Sequence, residues 1–142
     1  MGFFQSRAAL LAACCISGLI TAACATKAPP ALSSDLAGTH WAVQTIDGRP
    51  VLGRAPSVSF AHEDRISGAA GCNSFFGIYE AENGAIDVRA LGHTERACEL
   101  PVMSMEQSFL SVLDKADRYE REDNRLVITA EDGHSLVLTP SA

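Results

Sequence analysis

The chain has 142 residues, enough for one domain and too few for a cofactor domain beside a substrate domain. Apolar residues make up 47% and charged residues 20%, a globular balance rather than a disordered one. With 11 basic against 17 acidic residues the net charge is −6, the wrong sign for a general nucleic-acid binder, which displaces counterions from phosphates with a surplus of Lys and Arg.

Arg7 is the first charge and Lys27 the next, and the 19 residues from Ala8 to Thr26 are small or apolar. A basic start, an apolar stretch and then small residues is the profile of an export signal. The stretch ends Thr21-Ala22-Ala23-Cys24, which resembles a bacterial lipoprotein signal: Cys24 takes a diacylglycerol on sulfur and becomes the first residue once residues 1–23 are cut away. Leu11-Ala12-Ala13-Cys14 matches the short motif more cleanly, but leaves only Ala8 to Ala13 as the apolar core, below the roughly 7–15 residues such a core has. An uncleaved membrane helix is the competing reading, since the stretch is close to the ~20 residues that span a bilayer, though its Ala, Gly, Ser and Thr make it a weak anchor. The start Met1-Gly2 through Ser6 also fits a loose myristoylation pattern, directly ahead of the export-like segment.

Residues 24–35 then form a lipidated start and a flexible tether: the sequence ATKAPPALSSD holds nothing to build a core. Twelve steps from Cys24 to Leu36 at ~3.3 Å each let the domain sit up to roughly 40 Å from a membrane surface. The domain itself runs over residues 36–142.

Within it the dominant period is two. Trp41 and Val43, Val58 and Phe60, Phe76 and Ile78, Ile86 and Val88, Leu126 and Ile128, and Leu136 and Leu138 each place apolar side chains on one face of a short strand. Asp47-Gly48, Glu82-Asn83-Gly84, Asp123-Asn124 and Asp132-Gly133 supply turn residues that tolerate positive φ, so the strands read as hairpins in series. Pro101 to Ala116 departs from this pattern. Val102, Met105, Phe109, Val112 or Leu113, and Ala116 recur every three or four residues, with Glu106, Asp114 and Lys115 assigned to the polar side: an amphipathic helix, with Pro101 in its first turn. One helix with one apolar stripe lies against the sheet or plugs a barrel end. Met103 and Met105 read as core filling before they read as an adaptable groove.

The densest run of special residues is Arg65 to Gly77, with glycines at 68, 71 and 77, followed by Thr94 to Cys98. It is not a phosphate loop, because no Gly-Lys-Ser or Gly-Lys-Thr follows the glycines. Of five cysteines, Cys14, Cys15 and Cys24 belong to the lipoprotein signal, Cys24 as its lipidation point, and Cys72 and Cys98 remain as an even pair in an exported domain, which reads most simply as a disulfide. Two alternatives stand beside it: a zinc site with His93, which lacks a Cys-x-x-Cys unit and a fourth ligand, and a redox pair, which lacks that unit as well. His40, His62, His93 and His134 are scattered, and there is no Gly-x-Ser-x-Gly or His-Glu-x-x-His. Glu120, Glu122, Asp123, Glu131 and Asp132 read as solvated turn charges.

Gly38-Thr39 before Trp41, then Ile46-Asp47-Gly48, Ser67-Gly68, Gly71-Cys72-Asn73, Phe76-Gly77, Leu91, Thr94 to Cys98, and Glu106, Phe109, Leu110 and Leu113 together resemble the META domain of HslJ-like lipoproteins. The resemblance covers nearly all of residues 36–139, and its specific elements are Gly-Cys-Asn-x-Phe-x-Gly and Thr-x-x-x-Cys. It implies an α+β, mainly β fold: a small antiparallel, barrel-like (cracked barrel) sheet with one packed helix. It also implies a link to envelope stress and antibiotic tolerance, without an established catalytic activity. Ser74 departs from the Arg common in the family, and Glu95 and Arg96 from a basic residue and Met, so a role resting on those cations does not carry over. Some secretion pilotins share the architecture, which adds lipid binding as a fold-level expectation.

The chain therefore reads as a non-enzymatic lipoprotein of the bacterial envelope. It would be tethered to the outer membrane, face the periplasm, and have no cofactor or metal. The alternatives are a carrier of an acyl chain or an apolar peptide between sheet and helix, for which a cavity lined by Met105, Phe109 and Phe76 would speak, and, less favoured, an enzyme of unknown class.

Overall fold

The structure is a computed structural model that describes residues 35–142; the leader, Cys24 and the rest of the tether lie outside the described residues. The chain runs through β1 (Thr39–Ile46), β2 (Arg49–Pro50), β3 (Ser57–Phe60), β4 (Arg65–Ala69), β5 (Ser74–Glu82) and β6 (Ala85–His93). It then forms α1 (Leu100–Asp114) and returns through β7 (Ala116–Glu122), β8 (Arg125–Ala130) and β9 (Ser135–Pro140). All pairings are antiparallel. β1, β3, β4, β5, β6, β7, β8 and β9 follow one another around the sheet, and β9 pairs back onto β1, closing a barrel of eight strands with β2 as an extra strand on β1. The expected class, mainly β with a barrel-like antiparallel sheet and one packed helix, is the observed one.

The alternation seen in the sequence fills the barrel. Trp41 and Val43, Val58 and Phe60, Ile86 and Val88, Leu126 and Ile128, and Leu136 and Leu138 all point inward and are buried. A bulge between Val43 and Thr45 moves β1 out of strict alternation, so that Ile46 rather than Thr45 faces the core. Asp47-Gly48 and Asn83-Gly84 turn with both residues at positive φ, the geometry of tight hairpins, and Gly133 is also positive. Asp123 and Asn124 make their turn without it.

Three readings need correction. In β5 the inward set is Phe75, Tyr79 and Ala81, while Phe76 and Ile78 lie on the outer face, 60% and 46% exposed. Glu80 and Glu82 share the phase of Phe76 and Ile78, and keeping two carboxylates in water turns the whole strand over. The second correction concerns Glu120 and Glu122, which belong to a strand, β7, whose buried residues are Ala116 and Tyr119. Third, Glu106 lies within the buried face of α1 with Phe109, Val112 and Leu113. The helix is otherwise as expected, with Pro101 in its first turn, except that it stops at Asp114 and Ala116 opens β7.

The seam between β6 and β7 is thin. Only Ala85 and Arg118 are paired as strand residues, with Tyr119 N–H donating to Gly84 O at 2.8 Å. α1 is the connection between these two strands, and it packs against β6, β8 and β9. Phe109 is fully buried and meets Phe75 edge-on at 5.4 Å between ring centroids. The chain enters at the other end of the barrel, where Tyr119 Oη donates to Asp35 Oδ1 at 2.5 Å and Leu36 is buried.

Candidate functional site

The Gly71-Cys72-Asn73 turn between β4 and β5 faces α1, and two glycines set the close approaches around it, Gly68 toward β3 and Gly71 toward the helix. A Cβ on Gly68 would stand 1.9 Å from the Ser57 carbonyl oxygen of the neighbouring strand, so no side chain fits there. Gly71 has φ +127°, and a Cβ there would lie 2.6 Å from Met105 Cε. Around Gly77 the space is also narrow, with Arg89 O 3.1 Å from a would-be Cβ.

The turn carries Asn73 into the interior, 2% exposed, opposite Glu106 at 3%. Glu106 Oε2 accepts from Cys72 N–H at 3.0 Å and Asn73 N–H at 2.7 Å, and Oε1 accepts from Asn73 Nδ2 at 2.6 Å. The second Nδ2 proton goes to Arg96 O at 3.1 Å. Asn73 Oδ1 in turn accepts from Arg96 N–H at 2.6 Å and Thr94 Oγ1 at 2.9 Å. Both amide protons and two acceptor positions are thus used, which fixes the amide's orientation: the carboxylate needs donors and the Arg96 N–H needs an acceptor. Thr94 Oγ1 also accepts from Ser74 N–H at 3.2 Å, and Asn73 O accepts from Ala70 N–H at 2.7 Å. Among the described residues no cation is ion-paired with Glu106. Its three donors are all amide N–H groups, a pattern that satisfies a buried carboxylate through hydrogen bonds.

A Cys72–Cys98 disulfide joins the same two segments, with Cα atoms 6.1 Å apart. The two sulfurs are bonded to each other. Among the described residues no group of three or more His, Cys, Asp or Glu gathers around a common point for a metal. The site is a clamp that locks a turn, a loop and a helix together, with its polar atoms turned on one another.

The remaining residues singled out from the sequence are distributed around this clamp. Trp41 is buried, donates from Nε1 to Thr39 Oγ1 at 2.7 Å, and has the Arg121 guanidinium 5.6 Å from its ring centroid. Phe76 lies outside, over Gly92, where a Cβ would be 2.7 Å from the ring. Phe109 is fully buried while Phe76 lies on the outer face of β5, so Met105, Phe109 and Phe76 do not come together on one surface. Ser74, Glu95 and Arg96 have exposed side chains, and only the backbone of Arg96 enters the clamp. Cys24 lies outside the described residues.

Sequence reasoning missed the burial of Glu106 and two grooves along α1. Glu106 stands four residues after Val102 and three before Phe109, in the middle of the apolar stripe, and that spacing was the available signal. One groove, of about 740 Å³, runs between α1 and the end of β6, with Leu91, His93, Met103 and Leu110 among its walls. The other, of about 410 Å³, separates α1 from β2 and the loop after it, with Val51, Leu52, Val102 and Met105 lining it.

Six solved chains match the fold. An NMR structure of a protein from Burkholderia xenovorans aligns with TM-score 0.61 and 23% identity, covering 80% of this chain and 89% of that one. A second NMR structure aligns at 0.60 and 22%, covering 72% and 88%. A crystal structure of a DUF4847 family protein from Bacteroides vulgatus aligns at 0.56 and 13%, covering 74% and 94%. No curated protein matches. At these identities the structures establish the fold. The model of the META domain matches residues 34–142, which takes in the closed barrel, the helix and the clamp, and the chain belongs to the META domain family.

Proposed function

We propose that this protein is a non-enzymatic, lipid-anchored component of the bacterial envelope of the HslJ type, held by a lipid on Cys24 in the outer membrane and facing the periplasm, where it contributes to tolerance of envelope stress or antibiotics. The observation that carries the non-enzymatic part is the clamp. The most organised buried polar group in the domain, Asn73 with Glu106, spends its donors and acceptors internally, as a structural fastening does. The disulfide supports export, because such a bond persists where thiols are oxidised. The leader and Thr21-Ala22-Ala23-Cys24 support the lipid anchor.

The test is incorporation of labelled palmitate with fractionation of the envelope. The wild-type chain is expected to carry label in the outer membrane, and Cys24→Ser to lose it and remain unprocessed. Mass spectrometry showing an unlipidated Cys24 in the mature protein refutes the anchor. A second reading, a carrier of an apolar ligand, is favoured by the grooves beside α1, and they lie at the barrel end away from Asp35, where the tether joins.

A further inference from the structure

The smaller groove combines features that the clamp does not use. One wall is the β2 end and its following loop, with Val51 and an 85% exposed Leu52; the other is the face of α1 with Val102, Met105 and Ser108. Leu52 thus extends a concave, partly apolar surface of the kind that takes small ligands. Arg49 and Arg54 stand at the same groove, and among the described residues neither takes part in an ion pair. Asp47 also lines the groove, but its carboxylate is held on β9 and the turn before it, accepting from Ser135 N–H at 2.9 Å and meeting His134 Nδ1 at 2.9 Å. In a chain of net charge −6, two uncommitted guanidinium groups beside an apolar trough call for an anionic head on an apolar body.

The backbone favours a lipid over a peptide added as a strand. Val51 N–H donates to Gln44 O at 2.9 Å, so that donor turns toward β1. The neighbouring position that turns outward is Pro50, which has no N–H. A peptide added as a strand would find no donor on β2 and would depend on the N–H of Leu52 beyond it, whereas an acyl chain asks for none. At about 410 Å³ the groove is near the small end of ligand sites, which suits one chain rather than two.

We propose that this groove binds a single free long-chain fatty acid, its chain between Leu52 and Met105 and its carboxylate on Arg49 and Arg54. The proposal rests on the carrier reading and names its ligand class and site.

Palmitate titrated into the full chain carrying Cys24→Ser, which has no attached lipid of its own, tests it by calorimetry and native mass spectrometry. Saturable binding of one palmitate per chain is expected. Arg49→Gln with Arg54→Gln should weaken it about five- to tenfold, the scale of two exposed ion pairs. Ser108→Trp should abolish it by filling the groove. Ser108 is exposed on α1, so an unchanged urea midpoint shows that the fold survives. Hexadecanol, the same chain without charge, should bind more weakly. Absence of saturable binding, equal binding in Ser108→Trp, or preference for a lysophospholipid or an acidic peptide overturns the proposal. Failure of palmitate labelling at Cys24 bears on the anchor alone, and if palmitate still binds the groove the two ideas part company. An apolar ligand other than fatty acid, displaced by Ser108→Trp, would keep the carrier reading and remove this one.

Discussion

Removing the Glu106 carboxylate is the sharpest test of the clamp. Glu106→Ala leaves three N–H donors without an acceptor, two of them on Asn73, which is 2% exposed, and one on the half-buried Cys72. A buried donor left unsatisfied costs about 1–3 kcal/mol, while the Cys72 N–H can recover a water. The two Asn73 donors therefore set the loss at roughly 2–6 kcal/mol. A domain of this size has only about 5–15 kcal/mol to lose. With a urea dependence of about 1–3 kcal/mol per molar, the midpoint should fall by roughly 2 M, read by circular dichroism of the oxidised protein. Glu106→Gln should not restore it. Its amide must turn NH₂ either to the two backbone donors or to Asn73 Nδ2, and each choice sets donor against donor. Asn73→Ala in the Glu106→Ala background should cost much less than in the wild type, because both members of one network are then gone. A loss below about 1 kcal/mol for Glu106→Ala, or a Gln variant as stable as wild type, would show that the carboxylate does not fasten the turn.

Three further outcomes follow from the same structure. Cys72→Ser with Cys98→Ser should lower stability by roughly 3.5 kcal/mol in the chain-entropy view of a 27-residue loop, with the near-ultraviolet spectrum retained because Asn73 still holds Arg96; the oxidised domain should show no free thiol at either position until denatured and reduced. Phe109→Ala should cost roughly 3–5 kcal/mol by urea unfolding, since the ring is fully buried against Phe75, and a loss under about 1 kcal/mol would place it on a surface instead. The Tyr119 phenol is pushed up to about 12, first by burial and then by its hydrogen bond to Asp35 and that carboxylate's charge. The unfolded chain ionises near 10, so this contribution is complete below about pH 10 and lost as pH rises toward 12. Comparing the alkaline unfolding of the wild type with Tyr119→Phe isolates it, and an identical pH dependence would refute the shift.

How far the fold could be read from the sequence depended on what each strand puts inside. β1, β3, β6, β8 and β9 carry two or more apolar side chains on one face between turn residues, and they were legible. β4 buries only Ile66 fully among its side chains and makes the rest of its approach through backbone at Gly68, so its alternation is silent. β7 reads as a run of charge because it has only Ala116 and Tyr119 to bury. In β5 both phases begin with a phenylalanine, and a reading that stopped at Ile78 never met the two glutamates that decide the face. The members of the clamp were legible as a motif, by resemblance. Their roles were not, because the meaning of Glu106 depends on a turn 33 residues earlier delivering N–H groups to it.

The position of the clamp follows from the weakest part of the barrel. β6 and β7 are paired at a single residue, and α1 is spliced between them in the chain, so the helix is both the connection across the seam and the packing that covers it. A helix held there by its apolar stripe alone could slide or rotate, since burial of Phe109, Val112 and Leu113 is not directional. Hydrogen bonds are directional, and those of Glu106 fix the rotation of α1 against the 71–73 turn. The disulfide and the bonds of Asn73 to Arg96 fix the segment that leads into α1. Both grooves take one wall from the helix so held. Loosening the clamp should therefore blur the grooves before it melts the sheet, because eight strands of β-pairing remain while the helix face that shapes the grooves loses its register.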